Sequence, residues 1–313
     1  MRWTYSLSLL LLVLAAACSS PKEEPNAGSS DGSSSTSPTT TLGDPVDLGD
    51  LTPDTTADPT VTPAASDNPL YIALGNSLSY GIAASDPDRT SFVALVHAGF
   101  TGEVDLMNLG VPGYTSTDLA VERELDEALG EIRSRLRDDI EGNEVTAITL
   151  EIGGNDLLAL YADLVIPGTC ASVEEALAKD ECVDGLNEIL TTFEANLDAT
   201  LARLREVDVD LPVFLLTLYN PFSGGNEAIS RIGDLSLEGE ASSPFESGVN
   251  DVVREVGSRY AVTLVDIFPL FEDKSAEYIA FDLIHPNDEG YVVIATAVLS
   301  AMSAAGLAVA TSP

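Results

Sequence analysis

Of the chain's two histidines, His285 stands three residues after an acid, in Asp282-Leu283-Ile284-His285-Pro286-Asn287. An Asp at that spacing can curl back and accept a hydrogen bond from Nδ1. That fixes the tautomer and leaves Nε2 free to act as a base. The other histidine, His97, lies among apolar neighbours in the helical stretch 91–100 and reads as structural. A histidine base implies a nucleophile, and Ser77 in Gly75-Asn76-Ser77-Leu78-Ser79 is the candidate. This is not the Gly-x-Ser-x-Gly elbow, because Ser79 fills the last place. Two glycine-bearing segments offer hydrogen-bond donors. Asn108-Leu109-Gly110-Val111-Pro112-Gly113-Tyr114-Thr115 can bring backbone N–H groups close to a substrate. Gly153-Gly154-Asn155-Asp156 bends tightly enough to project the Asn155 amide into a site. Nucleophile, base, orienting acid and oxyanion donors together make acyl-transfer chemistry. Each segment alone has a plainer reading as a turn, a helix cap or a strand end.

What positions these residues is an alternation of short apolar runs and longer amphipathic stretches. Residues 70–74, 104–108, 145–152, 213–218 and 262–267 each read as a buried strand. Leu125, Leu129, Ile132, Leu136 and Ile140 recur at helical spacing, as do Leu186, Leu190, Phe193, Leu197, Leu201 and Leu204. Residues 245–260 and 287–305 are further helices. Strands alternating with helices predict an α/β fold with a parallel sheet covered on both faces. In such sheets, sites lie beyond the carboxyl ends of the strands, where the four segments above fall.

Taken together and in this order, the four segments resemble the SGNH (GDSL) hydrolase family. Its Gly-Asp-Ser-Leu-Ser block is matched by residues 75–79 and its Gly block by residues 108–115. Its Gly-x-Asn-Asp block is matched by residues 153–156 and its Asp-x-x-His block by residues 282–285. The resemblance covers residues 70 to about 305. It implies a three-layer α/β/α fold with a flavodoxin-like five-stranded parallel sheet. It also implies ester hydrolysis by Ser77, His285 and Asp282, with Ser77, Gly113 and Asn155 forming the oxyanion hole. No cofactor is implied, and no metal-ligand cluster is evident. The expected partner is a small-molecule or lipid ester. The family includes lipases, lysophospholipases, thioesterases and carbohydrate O-acetylesterases, and a non-catalytic surface binding protein on the same fold is the reading outside enzymology. One position departs from the pattern: the family's Asp before the nucleophile is Asn76 here. The apolar segment 157–185 reads either as an inserted loop shaping the substrate pocket or as a helix continuing into the core.

The chain ends place this domain. Residues 1–17 have secretory signal architecture, with an apolar run too short to span a bilayer. Cys18 follows Ala15-Ala16-Ala17, resembling a bacterial lipobox with Ala15 where Leu is usual. Lipidation of Cys18 would anchor the protein to the outer face of a membrane, and ordinary cleavage nearby, with Cys18 incidental, is the alternative. Residues 18–68 read as a disordered Ser/Thr/Pro/Asp-rich tether, leaving 69–313 as the hydrolase domain. Cys170 and Cys182 are expected to form a disulfide, as suits an exported chain, with free thiols the alternative. A net charge of −37, from 51 acidic against 14 basic residues, argues against nucleic acid and against a polybasic membrane patch. A monomer is the default expectation, with membrane contact through the lipid anchor only.

Overall fold

Side chains on successive strand residues point to opposite faces of a sheet, so a strand buried on both faces must be apolar throughout. The strand Leu70–Gly75 (β1) is buried along its whole length. Leu70, Ile72 and Leu74 join one apolar cluster, and Tyr71 and Ala73 join another. In the computed structural model, which describes residues 66–170 and 172–313, β1 pairs in parallel with Asp105–Gly110 (β2) on one side and Val145–Glu151 (β3) on the other. Val213–Leu216 (β4) and Thr263–Val265 (β5) complete a five-stranded parallel sheet of order β2-β1-β3-β4-β5. The chain steps outward from β1 to β2, then returns past β1 to β3. Loops leaving β1 and β3 therefore diverge at this reversal and open a crevice.

Helices cover both faces. The helices used below are Ser77–Tyr80 (α1), Phe92–Ala98 (α2), Arg123–Arg135 (α3), Gly154–Leu160 (α4), Asp180–Val207 (α5), Glu227–Glu238 (α6), Val249–Arg259 (α7) and Asp288–Ala304 (α8). Leu129 and Ile132 of α3, Phe193 and Leu197 of α5 and Val253 and Val256 of α7 pack on the face bearing Ile72, Ile148 and Leu215. Phe92 and Val96 of α2 and Tyr291, Ile294 and Val298 of α8 pack on the face bearing Tyr71, Ala147 and Phe214. Each large apolar side chain so buried contributes about 1.5–3 kcal/mol. No helix among the described residues is long and apolar enough to cross a membrane.

The parallel five-stranded sheet, its strand positions and its helical layers agree with the expectation from sequence. Four details differ. β2 and β5 are not buried strands; as sheet edges they have one neighbour each and alternate in exposure. α3 stops at Arg135, before Leu136 and Ile140, where Asp138 accepts the Ile140 N–H in a local turn and Leu136 is left exposed. α6 was not anticipated, although Asn226 caps it by accepting the Ala228 and Ile229 N–H groups and Ile232 and Leu235 line its buried face. The tether does not run to residue 68. Asn68 donates to Asp105 and accepts from Arg135, and Ser66 accepts from Asn143, so both belong to the domain. The signal peptide, Cys18 and the rest of the tether lie outside the described residues.

Segment 157–185 takes the helical alternative. Leu157 and Tyr161 are buried, α4 runs on into a π-turn at Tyr161–Val165, and Leu160, Leu164 and Val165 pack against the core. A disulfide joins Cys170 to Cys182, tying the turn that follows Tyr161–Val165 to the start of α5.

Candidate active site

Strand register brings the loops together. Gly75, the last residue of β1, pairs with Gly110 at the end of β2 and with Glu151 at the end of β3. The segments that follow these three residues therefore start side by side at one edge of the sheet. At Gly75 a side chain is impossible: φ is +153°, and a Cβ would stand 2.4 Å from the Glu151 carbonyl oxygen. The chain can then turn directly from strand into α1, with Ser77 as the first helical residue. Asn76 caps this short helix, its Oδ1 accepting the Leu78 N–H at 3.0 Å.

His285 arrives from the opposite end of the chain. Its loop is built as a small hairpin, with Ile279 bridging Pro286 and Ala280 N–H donating to the His285 carbonyl. Tyr219, after β4, donates its hydroxyl to the Ile284 carbonyl at 2.8 Å and stacks on Phe271. Asn287 caps α8 through the Gly290 N–H, which anchors the other side of the loop. Within this frame His285 Nε2 lies 2.8 Å from Ser77 Oγ, and His285 Nδ1 lies 2.7 Å from Asp282 Oδ2. Ser77 and His285 are 9% and 8% exposed, enough to be reached and too little for bulk water to screen their hydrogen bond.

Asp282 has both oxygens engaged. Oδ1 accepts the N–H groups of Ile284 and His285 at 3.1 and 3.0 Å, while Oδ2 accepts a hydrogen bond from His285 Nδ1–H. This wrap requires Leu283 in the left-handed region, at φ +64°. Burial works to raise the Asp282 carboxyl, but the hydrogen bonds from the His285 ring and from the two backbone groups outweigh it and hold it below the usual carboxylate range. It is therefore an anion throughout the neutral range, suited to stabilise an imidazolium.

The donor side is assembled from β2 and β3. Gly113 has φ +87°, which lets the turn after β2 fold back. Asn155, in the first turn of α4, donates from Nδ2 to the Tyr114 carbonyl at 2.8 Å, locking its amide beside the Gly113 turn and leaving its second N–H. Asp156 accepts from both the backbone N–H and the hydroxyl of Ser116, at 2.9 and 2.6 Å, and ties the two loops together a second time. Among the described residues, the backbone N–H groups of Ser77 and Gly113 have no protein acceptor.

The structure thus brings Ser77, His285 and Asp282 into one hydrogen-bonded chain and sets Asn155 against the loop of Gly113. His97 lies elsewhere, donating to the Val104 carbonyl at 2.6 Å. Two supporting groups escaped the sequence reading. Tyr219 carries no local signal, because its role depends on a loop 65 residues away. Glu151 did carry one: it is a carboxylate inside an otherwise apolar strand run, and it is 2% exposed at the strand position paired with Gly75, just before the Ser77 turn.

Residues 73–293 match the family model for GDSL-like lipases and acylhydrolases. The uncharacterized protein YpmR of Bacillus subtilis is 23% identical over 76% of this chain and 83% of its own length. The spore germination lipase LipC of Bacillus licheniformis is 24% identical over 71% of this chain and 90% of its own. Among solved structures, a lipase from a goat rumen metagenome superposes with a TM-score of 0.54 at 21% identity, covering 75% of this chain and 97% of that one. An extracellular lipase of Streptomyces rimosus does so with a TM-score of 0.50 at 19% identity, covering 76% and 99%. These structural likenesses concern the fold, and the family match, spanning well over half the chain, concerns descent. The chain belongs to the GDSL-like lipase and acylhydrolase family, the SGNH hydrolases, and is a hydrolase of ester bonds.

Proposed function

We propose that this protein is a serine esterase of the cell envelope, with Ser77 as nucleophile, His285 as general base and acid, and Asp282 as the orienting anion. The observation that carries this reading is the unbroken hydrogen-bonded chain Ser77–His285–Asp282, at 2.8 and 2.7 Å. Ser77 Oγ attacks the ester carbonyl while His285 Nε2 takes its proton. The imidazolium, stabilised by Asp282, returns that proton to the leaving alcohol. Water then attacks the acyl-enzyme with His285 again as base, releasing the carboxylic acid and restoring Ser77. The backbone N–H groups of Ser77 and Gly113 and the second N–H of Asn155 are the donors for the oxyanion. Asn155→Ala should lower kcat roughly 100- to 1,000-fold with little change in KM. Steady-state kinetics check this, and a change confined to KM would assign Asn155 to substrate binding instead. Labelling with a fluorophosphonate probe tests the nucleophile directly, since the reading requires covalent modification of Ser77 in the folded protein.

The acyl group is proposed to be apolar and lipid-like. Phe281 is 89% exposed, and it and the exposed Leu283 flank Asp282, while Tyr80 is exposed one helical turn beyond Ser77. Large apolar side chains held in solvent beside a catalytic dyad favour hydrocarbon over sugar. The lipase named among the relatives is in keeping with this. A series of p-nitrophenyl esters of increasing chain length, run beside acetylated sugars, should show kcat/KM rising beyond acetate; a preference for acetylated sugar would overturn it. The location is proposed from the signal segment and Cys18 in the sequence, and the Cys170–Cys182 disulfide suits an oxidising compartment.

A further inference from the structure

Ser77 and His285 come from segments 208 residues apart, yet their side chains meet at 2.8 Å. Apolar packing puts Leu78 of α1 and Tyr291 of α8 in one cluster, but it is non-directional and fixes no distance. Hydrogen bonds do, and two sets of them join the segment after Ser77 to the helix after His285. The first passes through Tyr291, whose ring is wholly buried. Its hydroxyl donates to the Ile82 carbonyl at 2.6 Å. The Ile82 N–H in turn donates to the Ser77 carbonyl at 3.0 Å, beside the Gly81 N–H. The second passes through Asp288, the first residue of α8. Its Oδ1 accepts the Ser85 N–H at 2.8 Å and the Thr90 hydroxyl at 2.9 Å. Its Oδ2 accepts the Ser85 hydroxyl at 2.5 Å. The segment so held has little else to keep its shape. Residues 85–89 are exposed, and Ala83 lies in the left-handed region at φ +65°. Such a conformation persists only where surrounding contacts impose it. At the other end α8 is continuous with the base's loop, since its cap, Asn287, follows His285 and Pro286.

We propose that Tyr291 and Asp288 are positioning residues for the reaction: together they clasp the nucleophile's loop to the base's helix and so set the separation of Ser77 Oγ from His285 Nε2. The proposal rests on Ser77 and His285 being nucleophile and base. The Tyr291 hydroxyl and the Asp288 carboxylate bond to the 82–90 segment, not to Ser77 Oγ or the His285 ring, so their effect is exerted through the backbone. Proton transfer requires Oγ and Nε2 in hydrogen-bond contact, and a misplacement of about 1 Å costs on the order of 100-fold in rate. With one anchor lost the other still holds the loop. The displacement is then smaller, and a loss of roughly tenfold is expected for each anchor alone.

The test uses the full chain, with kcat expressed per site labelled at completion by a fluorophosphonate probe. Misfolding lowers the number of labelled sites, whereas misalignment lowers kcat per labelled site and slows the labelling. Tyr291→Phe deletes one hydroxyl and keeps the packed ring. Asp288→Ala deletes all three acceptor contacts. Each should lower kcat per labelled site roughly tenfold, with KM little changed and the labelling rate falling in step. Asp288→Asn should recover most of that loss. Its oxygen can take the place of Oδ1, and the Ser85 hydroxyl can turn to accept from its nitrogen. If Tyr291→Phe or Asp288→Ala keeps the wild-type kcat per labelled site, or changes KM alone, the proposal fails. It fails equally if Asp288→Asn is as slow as Asp288→Ala, because the helix then needs only a negative charge at its start. Should Tyr291→Phe not fold, the half-buried Asp288 and its two variants decide the matter. Labelling of the wild type separates the two readings. Labelled Ser77 with unslowed variants sinks only the clasp, while unlabelled Ser77 sinks the nucleophile itself.

Discussion

Replacing Ser77 by Ala should lower kcat for short p-nitrophenyl esters by roughly five to six orders of magnitude, while leaving the fold intact. The size follows from what remains. The oxyanion donors and the substrate pocket survive and still accelerate the reaction over water, but attack must now come from a water that nothing has positioned. The fold survives because the lost hydroxyl is engaged only with His285 Nε2, and the α1 turn is held by other bonds: the Asn76 cap to Leu78 N–H and the Gly81 N–H to the Ser77 carbonyl. Kinetics, fluorophosphonate labelling and thermal unfolding on one preparation decide the matter. Loss of labelling with unchanged unfolding supports the assignment, whereas retained hydrolysis removes Ser77 as the nucleophile.

Much of the architecture was legible because burial imposes a period on the sequence. β1 reads as a strand because all six residues must be compatible with two buried faces, and α5 reads as a helix because Leu186, Leu190, Phe193, Leu197, Leu201 and Leu204 lie on one stripe. The edges were less legible. β2 and β5 have one neighbour each, so their pattern of exposure depends on a strand order that no local run encodes. The candidate site was legible through scarcity and type: two histidines leave little choice of base, and Asp282 at three residues' distance can reach Nδ1 only by a local wrap. What escaped is non-local. The Tyr219 bond to Ile284, the Asp156 tie to Ser116 and the burial of Glu151 beside Gly75 join segments tens of residues apart. Their partners follow from register, namely Gly75 beside both Gly110 and Glu151, and not from spacing along the chain. The lone carboxylate in β3 was the one such feature with a sequence signal.

Replacing Asp282 by Asn should lower kcat roughly 10,000-fold without moving a backbone atom, and the hydrogen bonds around the residue explain why. Asp282 Oδ1 accepts two backbone N–H groups, from Ile284 and His285, and Oδ2 accepts from His285 Nδ1. An Asn at this position has one acceptor oxygen, and the two backbone donors claim it. Its amide nitrogen is then left facing Nδ1, and an amide can only donate. The imidazole responds by carrying its proton on Nε2, which now points an N–H at Ser77 Oγ across the 2.8 Å gap and no longer accepts its proton. The base is disabled through its tautomer while every heavy atom stays in place. Two readouts follow from the same change. Fluorophosphonate labelling of Ser77 should slow along with kcat, and KM should barely move. The acid side of the stability profile should also flatten. A carboxyl held below its unfolded value contributes stability that is present above that value and lost as pH falls through the folded one, and Asn has no such group to protonate. A variant that keeps wild-type kcat but binds substrate poorly would contradict the orienting role, because the role assigned to Asp282 is exerted on His285 alone.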